Sequence, residues 1–282
     1  MSERANTFLS TTDRLGAIGI GNMGAAIIRG VAKNLLSSEK IFVTDVDTKK
    51  VDDLRIELGI NACATINELV ENVDIILYSA KPNNAEKVLT QISALIKPSQ
   101  LLISIAAGIT ITKLESYLAG TVPVIRVMPN IAVTVGSGIA AISPGSYADE
   151  NHLAKSQAIF NAVGSSLITE EKQLDAVTGL SGSGPAFVFM FIEALIDAGV
   201  HVGLSRENAH QLAVQTVLGA GKIIDQNKEH PAVWKSRVTT PAGTTAAGLF
   251  ELERGKFRSI VNAAVIAATE RAQELAQELA QM

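Results

Sequence analysis

Short apolar runs alternate with helix-period stretches through the first 169 residues, and after about residue 170 the runs stop. Strand candidates are 15–20, 41–44, 74–79, 101–105, 124–128, 139–142 and 166–169. Between them, apolar residues recur every three or four positions. Met23, Ala26, Ile27, Gly30 and Val31 share one helix face, as do Val51, Leu54 and Leu58 before Gly59. Val88, Leu89, Ile92, Leu95 and Ile96 repeat the pattern before Pro98. Strands alternating with helices predict a parallel sheet covered on both faces, an α/β domain of doubly wound type. The rest reads as helices. Val188, Phe191, Ile192, Leu195, Ile196 and Gly199 mark a helix apolar nearly all round, expected to be buried. Ser205 is placed to cap the next, with Ala209, Leu212, Ala213, Thr216 and Val217 on one face. A final Ala-rich helix is expected over 255–281. The division is therefore 1–169 and an all-α part, 170–282, with 1–14 flexible by default.

Composition narrows the class. The chain is 47% hydrophobic but only 4% aromatic, so its core is built from Ala, Val, Ile and Leu. Net charge is −4, with no basic patch, so nucleic acid is not an expected partner. The single cysteine, Cys63, admits no internal disulfide and fits a reducing cytosol. Residues 1–14 lack the apolar core of a signal peptide, and the apolar run 186–192 is too short to span a bilayer. The expectation is a cytoplasmic protein with no membrane segment.

Gly19, Gly21 and Gly24 form G-x-G-x-x-G at the end of the first strand, where Ala17, Ile18 and Ile20 precede and interleave the glycines. Such a turn brings backbone N–H groups against a pyrophosphate at a helix N-terminus. A purely structural turn is the alternative. Asp45 ends the second strand 21 residues past Gly24, where a carboxylate meets a ribose hydroxyl. That charge repels a 2′-phosphate and favours NADH. Thr44, Thr48, Lys49 and Lys50 are near enough in sequence to receive one, unless the lysines form a solvated helix face. NADPH and NADH both stay open.

Three further motifs follow strands: Ser79, Ala80, Lys81 and Pro82; SIAAG at 104–108; and RVMPN at 126–130. Ligands in such sheets lie beyond the carboxyl ends of strands. Pro82 suits the first position of a helix, and a plain strand–helix turn is the alternative reading. SGSGPAF at 181–187 opens the apolar helix, with Ser181 and Ser183 beside small residues that admit a flat ring, or with Ser183 as a plain cap. TTPAGTTAAG at 239–248 opens another helix. Gly243, Thr244 and Thr245 are expected to present free N–H groups and hydroxyls to a small carboxylate, or simply to cap the helix. His152, His201, His210 and His230 have no metal-ligand spacing, and Glu170 and Glu171 read as a solvated turn.

Taken together and in this order, IGIGNMG, SAKP, SIAAG, MPN, SGSGPAF, TTPAGTT and GKFR resemble pyrroline-5-carboxylate reductases over residues 15 to about 275. The resemblance implies a Rossmann domain followed by an all-α dimerisation domain, with dimers that commonly associate into decamers. It implies reduction of 1-pyrroline-5-carboxylate to L-proline by NADPH or NADH. Gly19, Ile20, Gly21, Asn22 and Met23 would hold the pyrophosphate. Asn67 would lie near the adenosine ribose. Ser79 to Pro82, with Ala106, Ala107 and Gly108, would line the cofactor. Val238, Gly243, Thr244 and Thr245 match the substrate loop, with Gly243 and Thr244 amides on the carboxylate and Thr245 at the imine nitrogen. Two positions depart from the family. Ala242 stands where S-P-G-G commonly places glycine, and Asp45 where many members carry a hydroxyl residue. The alternatives are a 6-phosphogluconate-type hydroxyacid dehydrogenase, with Lys222 as acid/base, and a non-catalytic dinucleotide-binding redox sensor.

Overall fold

A computed structural model describes residues 13–281. The described residues form one sheet of eight strands: β1 (Leu15–Ile18), β2 (Ile41–Thr44), β3 (Asn61–Ala62), β4 (Ile75–Tyr78), β5 (Leu101–Ser104), β6 (Val124–Pro129), β7 (Gly138–Pro144) and β8 (Gly164–Ile168). Their order across the sheet is β3-β2-β1-β4-β5-β6-β7-β8. The chain winds outward from β1 to β3, then returns to lay β4 on the other side of β1. This reversal opens a crevice at the carboxyl ends of β1 and β4, the place where such sheets bind ligands. The fold is the Rossmann-type doubly wound sheet expected, followed by helices.

The crossover helices are α1 (Asn22–Asn34), α2 (Thr48–Leu58), α3 (Ile66–Asn72), α4 (Ala85–Ile92), α5 (Ile111–Ser116) and α6 (Glu150–Asn161). They bury the sheet on both sides, which is why β4 reads as a continuous apolar run. Ile75 and Leu77 face one core with Ile27, Val31 and Phe160. Ile76 and Tyr78 face the other with Leu69, Leu89 and Leu114. Gly59 ends α2 with φ +69°, as its position implies.

Several expectations are corrected. The sheet is not parallel throughout: β7 pairs antiparallel with β6, placing Val127 opposite Ile142. The link between them holds only a 3₁₀ turn, Ile131–Val135, too short for a crossover. β3 has two residues and no apolar pattern to betray it. α4 stops at Ile92, leaving Leu95 and Ile96 in the turn that follows. Residues 1–12 lie outside the described residues, but Asp13 and Arg14 are anchored. Asp13 is buried and pairs with Lys155 at 3.0 Å, and the Arg14 N–H donates to Asp74 Oδ2 at 2.9 Å.

The remaining helices are α7 (Leu174–Val177), α8 (Gly184–His201), α9 (Arg206–Asn227), α10 (Pro231–Arg237), α11 (Thr244–Arg254) and α12 (Phe257–Gln281). Two compact units result. One runs to Ser183 and takes in α12 from Ala268, and the other spans Gly184–Ala267. In the first unit the end of α12 lies on the loop after β5, where a Cβ on Gly108 would sit 2.7 Å from Leu279 Cδ1.

In the second unit α8 and α9 pack closely where Gly199 faces Ala209. Ser205 caps α9 as expected, accepting from the Asn208 N–H at 3.2 Å. The expectation that α8 is buried is overturned, since Phe189, Met190 and Phe191 are 62%, 73% and 37% exposed. Only Ala209 and Ala213 are buried in this unit. Its apolar faces are largely exposed among the described residues. The short run 186–192 also lies inside a longer helical stretch, Glu171–His201, apolar and long enough by length and composition to cross a membrane.

Cys63 lies in the core, where burial, and then the charge of Glu68, push its thiol up to about 11. At pH 8 the folded chain is expected to be alkylated by iodoacetamide at least ~10²-fold more slowly than the unfolded chain. Timed mass spectrometry checks this, and equal rates would show an open thiol.

Candidate functional site

The glycine turn is fixed by backbone contacts at the crevice. Gly19 has φ +88°, and its N–H donates to the Thr44 carbonyl at 2.9 Å. A Cβ there would lie 2.7 Å from the Ala80 nitrogen, and one on Gly24 would lie 2.5 Å from the Gly19 carbonyl oxygen. No side chain fits at either position. Gly21 is different: it caps α1 with φ −64°, and nothing lies within 4 Å of where its Cβ would be. α1 has no side-chain cap, and its first amides, from Asn22 and Met23, meet no acceptor among the described residues. Ile18, Gly19, Ile20, Gly21, Asn22, Met23 and Gly24 thus form a cradle with the chemistry of a pyrophosphate seat.

The neighbouring strand ends close round it. The Ser79 N–H donates to the Ile18 carbonyl at 3.0 Å, and its hydroxyl donates to the Gly19 carbonyl. Lys81 is held through its carbonyl, which accepts from the Tyr78 hydroxyl at 3.0 Å. Tyr78 is wholly buried, and that burial drives its phenol well above the usual range, so the hydroxyl stays a donor. Pro82 opens a 3₁₀ turn ahead of α4, as expected. After β5, the Ile105 N–H continues the ladder to the Tyr78 carbonyl. Ala106 is buried, Ala107 is exposed, and Gly108 turns the chain with φ +79°. Asp45 sits at the end of β2, its Oδ2 accepting from the Ile20 N–H at 2.7 Å. Asn67 stands on α3, where its Oδ1 accepts from Gln91 of α4 at 3.2 Å.

Beside the end of β6, the helix that leads into α8 is not regular. Residues Thr178–Gly182 make a π turn. Thr178 and Ser181 hydroxyls donate back to the Leu174 and Val177 carbonyls, at 2.8 and 3.0 Å. A Cβ on Gly182 would touch Met128 at 2.8 Å, so the bulge rests on the MPN strand end. Ser183 is not an N-cap, because its backbone is helical and the helix has already begun. Glu171 is not a solvated acid: it accepts from the Ile111 N–H at 2.6 Å and from Arg126 at 2.9 Å. Arg126 is buried, and nothing in the local sequence announces its partner 45 residues away.

The second unit holds the other motif. Val238 follows the last residue of α10 and is exposed. Arg237 lies over the Trp234 ring at 4.4 Å and grips both Glu229 oxygens, at 2.6 and 2.9 Å. The loop that follows is tight. Ala242 has φ +58°, the left-handed region, which accounts for the family's glycine there. Gly243 caps α11, but its N–H is not free, since it donates to the Thr240 carbonyl at 3.0 Å. The open amides are those of Thr244 and Thr245, which meet no acceptor among the described residues. Their hydroxyls are likewise unbonded there, at the positive end of an 11-residue helix. The histidines serve locally. His152 and Asp149 cap α6 reciprocally, and His230 caps α10.

Comparison with known proteins agrees with both halves of this layout. The family model described as pyrroline-5-carboxylate reductase dimerisation matches residues 171–275. The model described as NADP oxidoreductase, coenzyme F420-dependent, matches residues 14–108. The chain is 42% identical to a pyrroline-5-carboxylate reductase of Arabidopsis thaliana, across 91% of this chain and 93% of that one. It is 41% identical to that of Methanosarcina acetivorans, across 91% and 96%. A solved pyrroline-5-carboxylate reductase from Coxiella burnetii superposes with TM-score 0.89 at 30% identity, covering 94% of this chain and 98% of that one. The Plasmodium falciparum pyrroline carboxylate reductase, solved with NADP bound, gives 0.83 at 33%, covering 95% and 100%. The chain belongs to the pyrroline-5-carboxylate reductase family.

Proposed function

We propose that this protein reduces 1-pyrroline-5-carboxylate to L-proline with NAD(P)H, the last step of proline biosynthesis. Family membership along nearly the whole chain carries the reading. The open space at Gly21 and the uncapped start of α11 support assigning one anion to each. We assign nucleotide binding to residues 1–169, and substrate and dimer contacts to 170–282. The exposed apolar faces of the helical unit fit self-association through those helices, first as dimers and then as larger rings such as decamers. That cover also suits the apolar stretch of α8 to a cytoplasmic protein.

The reaction needs a hydride on the imine carbon and a proton on nitrogen. When bound, NAD(P)H supplies the hydride. The chain's task is to fix the ring and keep the nitrogen hydrogen-bonded. The Thr244 and Thr245 amides, aided by the helix end, hold the acid group. The unbonded Thr245 hydroxyl accepts from the iminium N–H or relays its proton. Ser181, Ser183 and Val238 complete the substrate-side residues. Ser79, Ala80, Lys81, Pro82, Ala106, Ala107, Gly108 and Asn67 complete the cofactor side. The direct test is oxidation of NADPH or NADH on addition of pyrroline-5-carboxylate. No oxidation of either sinks the proposal.

Thr245→Val is expected to lower kcat by roughly 10²-fold, the low end for losing a positioned proton-transfer group. Wild-type turnover in that variant would remove Thr245 from the chemistry. Gly21→Ala is expected to weaken dinucleotide binding by about 10-fold or more, since its methyl enters the pyrophosphate seat. Its thermal unfolding should match the parent, because the methyl meets no protein atom. Ala242→Gly is expected to stabilise the chain by about 0.5–1 kcal/mol by relieving the left-handed backbone. Urea unfolding at fixed protein concentration decides it, and a loss of stability would refute the strain.

A further inference from the structure

The carboxylate of Asp45 is held in place from both sides. Oδ2 accepts from the Ile20 N–H at 2.7 Å, and Oδ1 accepts from the Asp47 N–H at 2.9 Å. The first bond ties it to the glycine turn and the second to the loop that starts α2. Each oxygen keeps lone-pair capacity beyond the bond it already makes. A half-buried carboxylate so fixed presents acceptors, and a negative charge, where the ribose of a bound dinucleotide lies.

The surrounding cations do not offset that charge. Arg29 and Lys50 line a cavity of 220 Å³ next to Gly21, together with Asp53. Arg29 is gripped by both oxygens of Glu57, at 2.8 and 2.7 Å. Lys50 pairs with Asp47 at 3.5 Å. Lys49 pairs with Asp53 at 2.7 Å, and Arg55 with Asp52 at 3.4 Å. Every one of these cations is matched by a carboxylate, and Asp45 is the acid left over. A 2′-phosphate entering here meets a fixed negative charge, and each of these four cations already has a carboxylate beside it. A ribose carrying a 2′-hydroxyl meets an acceptor already oriented for it.

We infer that Asp45 is the specificity-determining residue for the nucleotide and that it selects NADH over NADPH. The inference rests on the proposal that this cradle binds the dinucleotide. It is tested on the full chain by calorimetric titration with NADH and NADPH separately, without substrate. The wild type is expected to bind NADH at least 10-fold more tightly. Asp45→Asn keeps an acceptor for the Ile20 N–H while removing the charge, and is expected to shrink that preference at least 10-fold, mainly by tighter NADPH binding. Asp45→Ser removes charge and bulk and should shift the ratio further the same way. Equal affinities in the wild type, or variants that weaken both nucleotides in proportion, would overturn the inference. If Asp45→Asn does not fold, the wild-type ratio alone decides. Tight NADH binding with no turnover of pyrroline-5-carboxylate would instead overturn the proposed reaction and leave the preference standing.

Discussion

Three strand ends are tied at one point, and the nucleotide half depends on that knot. The Gly19 N–H reaches back to β2, the Ile20 N–H to Asp45, and the Ser79 N–H and hydroxyl to Ile18 and Gly19. These bonds are made by backbone groups that the ends of β1, β2 and β4 leave over, so they satisfy donors that would otherwise be stranded. They work only because Gly19 adopts a positive φ and Gly24 lets α1 sit directly on the turn. With the knot closed, the remaining glycine, Gly21, faces open space. Tyr78 extends the arrangement from beneath, holding the carbonyl of Lys81 from within the core.

The helical unit follows a different logic. Its sequence is as apolar as a core, yet among the described residues most of that surface is exposed. Helices this apolar do not persist in water without cover. Stability of this half is therefore linked to association, and apparent stability should rise with protein concentration as mass action requires.

Much of this was legible in the sequence, for stated reasons. Strands buried on both faces leave continuous apolar runs, and the runs at 41–44 and 101–105 fall on β2 and β5. Helix ends marked by Ser205 and Gly59 also fell where capping chemistry puts them. What escaped was set by distance or by neighbours. Glu171 looks solvated because its partners, Arg126 and the Ile111 amide, are far away along the chain. The π turn at Thr178–Gly182 hides because its residues also suit an ordinary helix. β7 runs against β6 because of the length of the link, not its composition. Periodicity cannot distinguish α8 buried in its own chain from α8 awaiting another. At the site, residue types were readable but bonding was not. Nothing in TPAGTT says that the Gly243 amide is spent on Thr240 while its two successors stay open.

The last turns of α12 group with the nucleotide-binding unit rather than with the helices before them. Ala276 and Leu279 line a small hollow there, with Pro82, Ile109 and Tyr117. Residues late in the sequence thus return to roof a loop laid down early. Synthesis must pass Leu279 before that loop acquires its cover. Cutting this protein after residue 183 to isolate a nucleotide-binding fragment would discard part of what the fragment packs against.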